Sequence, residues 1–255
     1  MPFFQSSDYR LAYIDEGEGP PILLIHGFAS SARVNWVSPG WVDTLVKNGR
    51  RVVAFDNRGH GESDKPHEVE AYRLTAMAED AKNLLDHLGI GAADVMGYSM
   101  GARIGAFFAL GHPERARTAI FGGLGSGMLT GVGPWAPVVE ALETADPATI
   151  TDPIGQMFRK FADQTKSDRV ALSACMKATR QPVSPASLSK LDVPVLIAVG
   201  EKDELSGDAE GLAAVIPGAE TLTIPGRNHM LAVGDKVYKQ GVLAFLERHS
   251  PVGGA

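Results

Sequence analysis

The chain has a single cysteine, Cys175, so no internal disulfide can form and its covalent framework gives no reason for an oxidising compartment. It also lacks a basic excess. Lys and Arg number 24 against 30 Asp and Glu, a formal net charge of -6. Without a basic field to release phosphate counterions, no nucleic-acid partner is expected. No apolar run approaches the ~20 residues of a membrane span, so no membrane partner is expected either. The opening residues, MPFFQSSDYR, hold no basic segment followed by an apolar stretch. They do not read as a secretory signal, and the expectation is a cytoplasmic protein. Internal repeats, charge blocks and low-complexity tracts are missing as well.

What is present is ordinary globular composition: 255 residues, 44% apolar and 21% charged. That length suits one large domain or a core with a modest insertion. The 29 Gly and 16 Pro imply frequent turns, as alternating strands and helices require. Short apolar runs at residues 21–26, 51–56, 93–98, 116–122, 193–200 and 220–224 have the length of strands buried on both faces of a parallel sheet. Amphipathic segments lie between them. The clearest places Leu74, Met77, Ala78, Ala81, Leu84, Leu85 and Leu88 at helical spacing and stops at Gly89. Others cover residues 99–110 and 235–249. The alternation predicts an α/β fold with a mostly parallel sheet flanked by helices.

Residues 129–187 break the rhythm, with helical stretches at 136–143, 154–163 and 168–179 and no strand-like run. The expected organisation is a core of residues 1–128 and 188–255 with a helical cap at 129–187. The Gly-rich entrance, Gly122 to Gly127, reads as a loop rather than a nucleotide site: Met128 stands where G-x-G-x-x-G needs its third Gly, and no G-K-[ST] follows.

The main chemical signal is Gly97-Tyr-Ser99-Met-Gly101, a G-x-S-x-G that ends one apolar run and opens a helix. That strand–turn–helix setting is what a nucleophile elbow requires; the bland alternative is a tight turn with a buried Ser. Glycines on either side let strand and helix approach, and the helix N-terminus adds a positive dipole beside the reacting oxygen. The hydroxyl needs a base. Of 7 histidines, His229 lies in the turn-rich loop after the last expected strand, at the carboxyl edge of the sheet, on the same side as Ser99. The imidazole needs an acid to fix its tautomer. Asp203 follows the strand at 193–200 at that same edge and is the first choice, with Glu201 and Glu204 as weaker candidates. The order Ser99, Asp203, His229 is that of an α/β-hydrolase triad.

On these residues the sequence resembles the α/β-hydrolase superfamily over nearly its whole length. Besides the elbow, His26-Gly27-Phe28 resembles the family's oxyanion loop, and Asp56 to Ser63 (DNRGHGES) resembles the turn after its fourth strand, as in enol-lactonases. The resemblance implies an eight-stranded sheet with a small helical cap. It also implies serine-hydrolase chemistry on a small-molecule ester or lactone, with the backbone N–H groups of Phe28 and Met100 as the oxyanion hole. No cofactor or metal is called for. Asp56, His60 and Glu62 match no standard ligand spacing and read as a structural turn, and His26 reads as a loop-orienting residue. Ala102 stands where many relatives carry Gly. Ser99 is unlike the Asp nucleophile of haloalkane dehalogenases and epoxide hydrolases. Cofactor-free perhydrolase (haloperoxidase-like) activity, C–C bond hydrolysis, and a non-catalytic receptor that retains the triad stay open. Trp36, Trp135, Met157 and Phe158 are the expected pocket walls, or else packing between cap and core.

Overall fold

The structure, a computed structural model, describes residues 1–131 and 135–253. The expected cap and core therefore each lose a few positions, residues 132–134 and 254–255, which lie outside the described residues.

Among the described residues the strands are β1 (Phe3–Ser6), β2 (Tyr9–Glu16), β3 (Pro21–Ile25), β4 (Arg51–Phe55), β5 (Ala93–Tyr98), β6 (Ala116–Gly122), β7 (Val195–Gly200) and β8 (Glu220–Ile224). They form one sheet in the order β1-β2-β4-β3-β5-β6-β7-β8. β1 and β2 pair antiparallel, as do β2 and β4; every pairing from β4 to β8 is parallel. The helices are α1 (Trp41–Lys47), α2 (Leu74–His87), α3 (Met100–Gly111), α4 (Gly127–Thr130), α5 (Ala136–Glu143), α6 (Pro153–Gln164), α7 (Arg169–Ala178), α8 (Pro185–Leu188), α9 (Ala209–Ala213), α10 (His229–Ala232) and α11 (Lys236–His249). None is long and apolar enough to cross a membrane.

Strand periodicity divides the interior into two layers, because successive side chains leave opposite faces. Leu23, Ile25, Val53, Phe55 and Val95 face α2 and α3, where Leu84, Leu85, Ile104 and Phe108 are buried. Ile22, Leu24, Val52, Ala54 and Met96 face α1 and α11, against Trp41, Leu45, Tyr238 and Phe245. Each such side chain taken out of water contributes about 1.5–3 kcal/mol, so both faces of the sheet are anchored.

Between β6 and β7 the chain runs through α4 to α8. Val138 and Leu142 of α5, Phe158 of α6 and Leu172 of α7 join the apolar cluster that holds α2 and α3. These helices therefore share an interior with the sheet layer rather than enclosing one of their own. Asp152 and Asp168 cap α6 and α7 by accepting from Gly155 N–H and from Val170 and Ala171 N–H.

Candidate active site

Parallel pairing brings the carboxyl ends of β3, β5, β7 and β8 to one edge of the sheet, and the candidate residues sit on the turns just beyond them. The turn from β5 into α3 is the tightest. Ser99 has φ 55° and ψ -114°, a left-handed conformation that costs a non-glycine residue about 1–3 kcal/mol. Close approach on both sides holds it there. A Cβ on Gly97 would lie 2.1 Å from the carbonyl oxygen of Gly101, and one on Gly101 would lie 2.0 Å from that of Ile25. Ser99 N–H also donates to the carbonyl of Gly122 at 2.7 Å, tying the turn to the end of β6.

Ser99 Oγ lies 3.1 Å from His229 Nε2, and His229 Nδ1 lies 2.8 Å from Asp203 Oδ2. The structure thus joins all three side chains, across 130 residues in the longer separation. His229 is the first residue of α10; Asn228 caps that helix through Leu231 N–H, and Tyr98 hydroxyl donates to the His229 carbonyl at 2.6 Å. The Asp203 side chain is fully buried while that of His229 is 12% exposed, and Ser99 is half-buried beside it. Burial by itself would raise the Asp203 pKa. The hydrogen bond and charge of His229, the Ser206 hydroxyl and Leu205 N–H outweigh it and hold the carboxyl below the usual range. Glu201 and Glu204 are exposed, and Glu201 accepts from Gly226 N–H instead of approaching the imidazole.

The β3 end supplies the second half of the site. His26 is buried beneath it, accepting from Asn57 N–H at Nε2 (2.9 Å) and donating from Nδ1 to the Gly27 carbonyl (2.7 Å). Burial pulls its pKa down to about 4, against a smaller opposing effect of the Gly27 bond, so it is a neutral brace. His60, against it, is pulled by burial and by His26 to about 3. Gly27 N–H is taken by Asn35 Oδ1 at 3.0 Å. The N–H groups of Phe28 and Met100 donate to no other backbone group among the described residues, so both remain available to an oxygen at Ser99. Asp56 accepts from Ala32 and Glu62 N–H and Ser63 hydroxyl donates to the Asp56 carbonyl, which makes the DNRGHGES segment a hydrogen-bonded turn. Among the described residues no group of three or more His, Cys, Asp or Glu side chains is placed to hold a metal ion.

A cavity of about 170 Å³ opens over Ser99, Met100 and His229. Trp135 and Phe158 line it, with Phe161 beside them. Met157 does not line it; its side chain is half-buried against the apolar cluster that holds α2 and α3. Trp36 is a clearer correction. It lies on a turn of π-helix, Arg33–Val37, whose Val34 and Asn35 reach the cavity, but its own ring is directed to the α1 layer. There it is fully buried, edge-on to Trp41 at 6.3 Å.

Two contributors carry little or no sequence signal. Ser206 hydroxyl donates to Asp203 Oδ2 at 2.6 Å and lies 3.2 Å from His229 Nδ1, so it links the two side chains. Arg180 enters the cavity wall from the segment after α7. Only the three-residue step from Asp203 to Ser206, ordinary for a side-chain turn, hints at the first.

Known proteins place this geometry in context. A bifunctional epoxide hydrolase 2 of Sus scrofa is 37% identical over 109 residues, 42% of this chain and 19% of that protein, so the match spans about a fifth of the relative's length. A hydrolase from Pseudomonas aeruginosa PA01 superposes with a TM-score of 0.80 at 25% identity, covering 96% of this chain and 97% of the other. A thermophilic esterase from Thermogutta terrifontis gives 0.74 at 26% identity, over 95% of each chain. The model of the family described as alpha/beta hydrolase fold matches residues 20–177, which runs from β3 through the elbow and on to α7. That span takes in more than half of the sequence, and this protein belongs to the alpha/beta hydrolase fold family.

Proposed function

We propose that the protein is a serine hydrolase that cleaves a small carboxylic ester or lactone through an acyl-enzyme on Ser99. One observation carries the reading: an unbroken chain from Ser99 Oγ to His229 (3.1 Å) to a buried, ionised Asp203 (2.8 Å). His229 Nε2 takes the Ser99 proton as Oγ attacks the carbonyl carbon. Asp203 accepts from Nδ1–H and stabilises the imidazolium that forms. The carbonyl oxygen, now negative, accepts from Phe28 and Met100 N–H; removing one such donor typically costs about 100-fold or more in rate. His229 then returns the proton to the leaving alkoxide, and a water activated by His229 hydrolyses the acyl-Ser99 ester. In this reading residues 129–187 act as a cap over the core, and Trp135 and Phe158 bound the acyl site.

Support for an ester comes from the likeness to the Thermogutta terrifontis esterase. Epoxide opening is disfavoured because Ser99 stands where epoxide hydrolases of this fold carry Asp. The test is turnover of p-nitrophenyl acetate and butyrate. Wild type should cycle repeatedly and Ser99→Ala should show only the uncatalysed rate. Wild-type-like rates in Ser99→Ala would overturn the proposal, and a single turnover with tight retention of ligand would favour a receptor.

A further inference from the structure

Three of the buried guanidiniums are paired with carboxylates. Arg50 meets Asp94 at 2.7 Å, Arg58 meets Asp80 at 2.6 Å and Arg159 meets Asp163 at 3.0 Å. The cavity over Ser99 departs from that pattern. Arg180 and Arg103 both line it, and neither forms an ion pair with any carboxylate among the described residues.

The two differ in what they still lack. Arg103 is held by carbonyl oxygens, donating to Gly127 at 3.1 Å, Met128 at 3.3 Å and Gln181 at 2.7 Å. Arg180 is stacked instead. Its guanidinium carbon lies 3.9 Å from the ring centre of Trp135 and 5.8 Å from that of Phe28, and its Nε donates to Met176 Sδ at 2.9 Å. Its two Nη groups meet no protein acceptor among the described residues. Burial, then the neighbouring Arg103 charge, brings Arg180 down to about 9, still protonated at neutral pH. Arg180 is half-buried, so its cation loses part of its hydration in the cavity wall. Here the aromatic faces offset part of that cost and fix the plane of the fork, leaving its donors for a ligand.

We propose that Arg180, with Arg103 adding charge behind it, binds a carboxylate on the substrate. The molecule cleaved at Ser99 is then an ester or lactone that carries a second, free carboxylate. A planar carboxylate matches the guanidinium fork in a bidentate pair. The aromatic walls Phe28, Trp135 and Phe158 suit the short alkyl stretch between the two groups. This specificity rests on the Ser99 reading for its chemistry, but not for its binding.

The experiment has two arms. In the first, monomethyl esters of succinate, glutarate and adipate are compared with neutral methyl esters of equal chain length, following proton release. Wild type should favour at least one half-ester by about ten-fold or more in kcat/KM, the scale of a charge-assisted hydrogen bond. Arg180→Gln should bring that ratio towards one, mainly through KM, and Arg180→Lys should retain part of it. In the second, Trp fluorescence follows binding of the same half-esters to Ser99→Ala and to Ser99→Ala with Arg180→Gln, the second expected to bind about ten-fold more weakly. No preference in wild type, or equal loss on both ester classes in a folded Arg180→Gln, overturns the proposal. So does an affinity in the second arm that ignores Arg180. Arg180-dependent binding without turnover would sink the hydrolase reading alone, and turnover without charge preference would sink the carboxylate reading alone.

Discussion

Gly101→Ala sets two magnitudes against each other. On helix propensity alone the change should stabilise α3 by about 1 kcal/mol. The new Cβ, however, would lie 2.0 Å from Ile25 O, 2.6 Å from Ile25 C and 2.7 Å from His26 O. These are backbone atoms at the end of β3, so no side-chain rotation relieves the overlap; helix and strand must part by about 1 Å. Such overpacking costs about 1–3 kcal/mol and sometimes more. With backbone on both sides of the contact we place it at the upper end, for a net loss of about 2 kcal/mol. The displacement also separates Phe28 N–H from Met100 N–H. A 1 Å error in such positions can lower kcat/KM about 100-fold. Gly105, one turn along the same helix, is the control. Its Cβ would meet Val95 Cγ1 at 3.5 Å and Phe121 Cε1 at 4.0 Å, ordinary contacts, so Gly105→Ala should gain about 0.5–1 kcal/mol and keep its rate. Urea unfolding followed by circular dichroism, with p-nitrophenyl butyrate turnover on the same samples, reads both. Equal stability of the two variants, or a wild-type rate in Gly101→Ala, would refute the close-approach argument.

Two further outcomes follow from the site and its supports. Asp203→Asn should keep the fold and lower kcat by about 10⁴, because an amide can present a donor to Nδ1 and favour the wrong tautomer; a loss below ten-fold would remove Asp203 from the triad. His26 and His60 have folded pKa values of about 4 and about 3 against 6.5 when unfolded, so as pH falls below 6.5 the unfolded chain takes up protons first. The stability they confer is complete above that pH and declines as pH drops towards the folded values, by about 2 kcal/mol each at pH 5. The depressed Asp203 carboxyl adds its loss only at lower pH, as pH falls through its folded pKa. A urea midpoint unchanged between pH 7 and pH 5 would show that neither imidazole is buried neutral.

Period and punctuation made the parallel strands and long helices legible. The run at 93–98 and the helix stopped by Gly89 correspond closely to β5 and α2, since an apolar segment of strand length between turn residues has few other places to go. The β1–β2 hairpin leaves no such signal. β1 has four residues, and β2 alternates poorly because it is half-covered at the sheet's margin. At the site, Ser99, Asp203 and His229 are readable because each lies on the turn that follows a strand whose direction is fixed. Trp36 was misplaced because one residue's rotation on a π-helical turn decides which side of the sheet a ring enters, and spacing does not encode that. Ser206 and Arg180 matter through what they touch, and no pattern in the linear chain marks a contact.

The position of β8 at the sheet's margin has a consequence for how the site would fail. β8 pairs on one side only, and of its residues Ile224 alone is fully buried. The segment carrying His229 begins directly after it, tied to β5 by the Tyr98 hydroxyl, to the β7 turn by Lys202 N–H on the Arg227 carbonyl and to α1 by Trp41 Nε1–H on the Val233 carbonyl. Marginal strands open locally at a fraction of the free energy that unfolds the interior. A brief peeling of this edge would withdraw the imidazole while Ser99 stays locked between β5 and α3. Heat would then silence the chemistry before it melts the protein, and amide exchange along β8 would report the same opening that switches the nucleophile off.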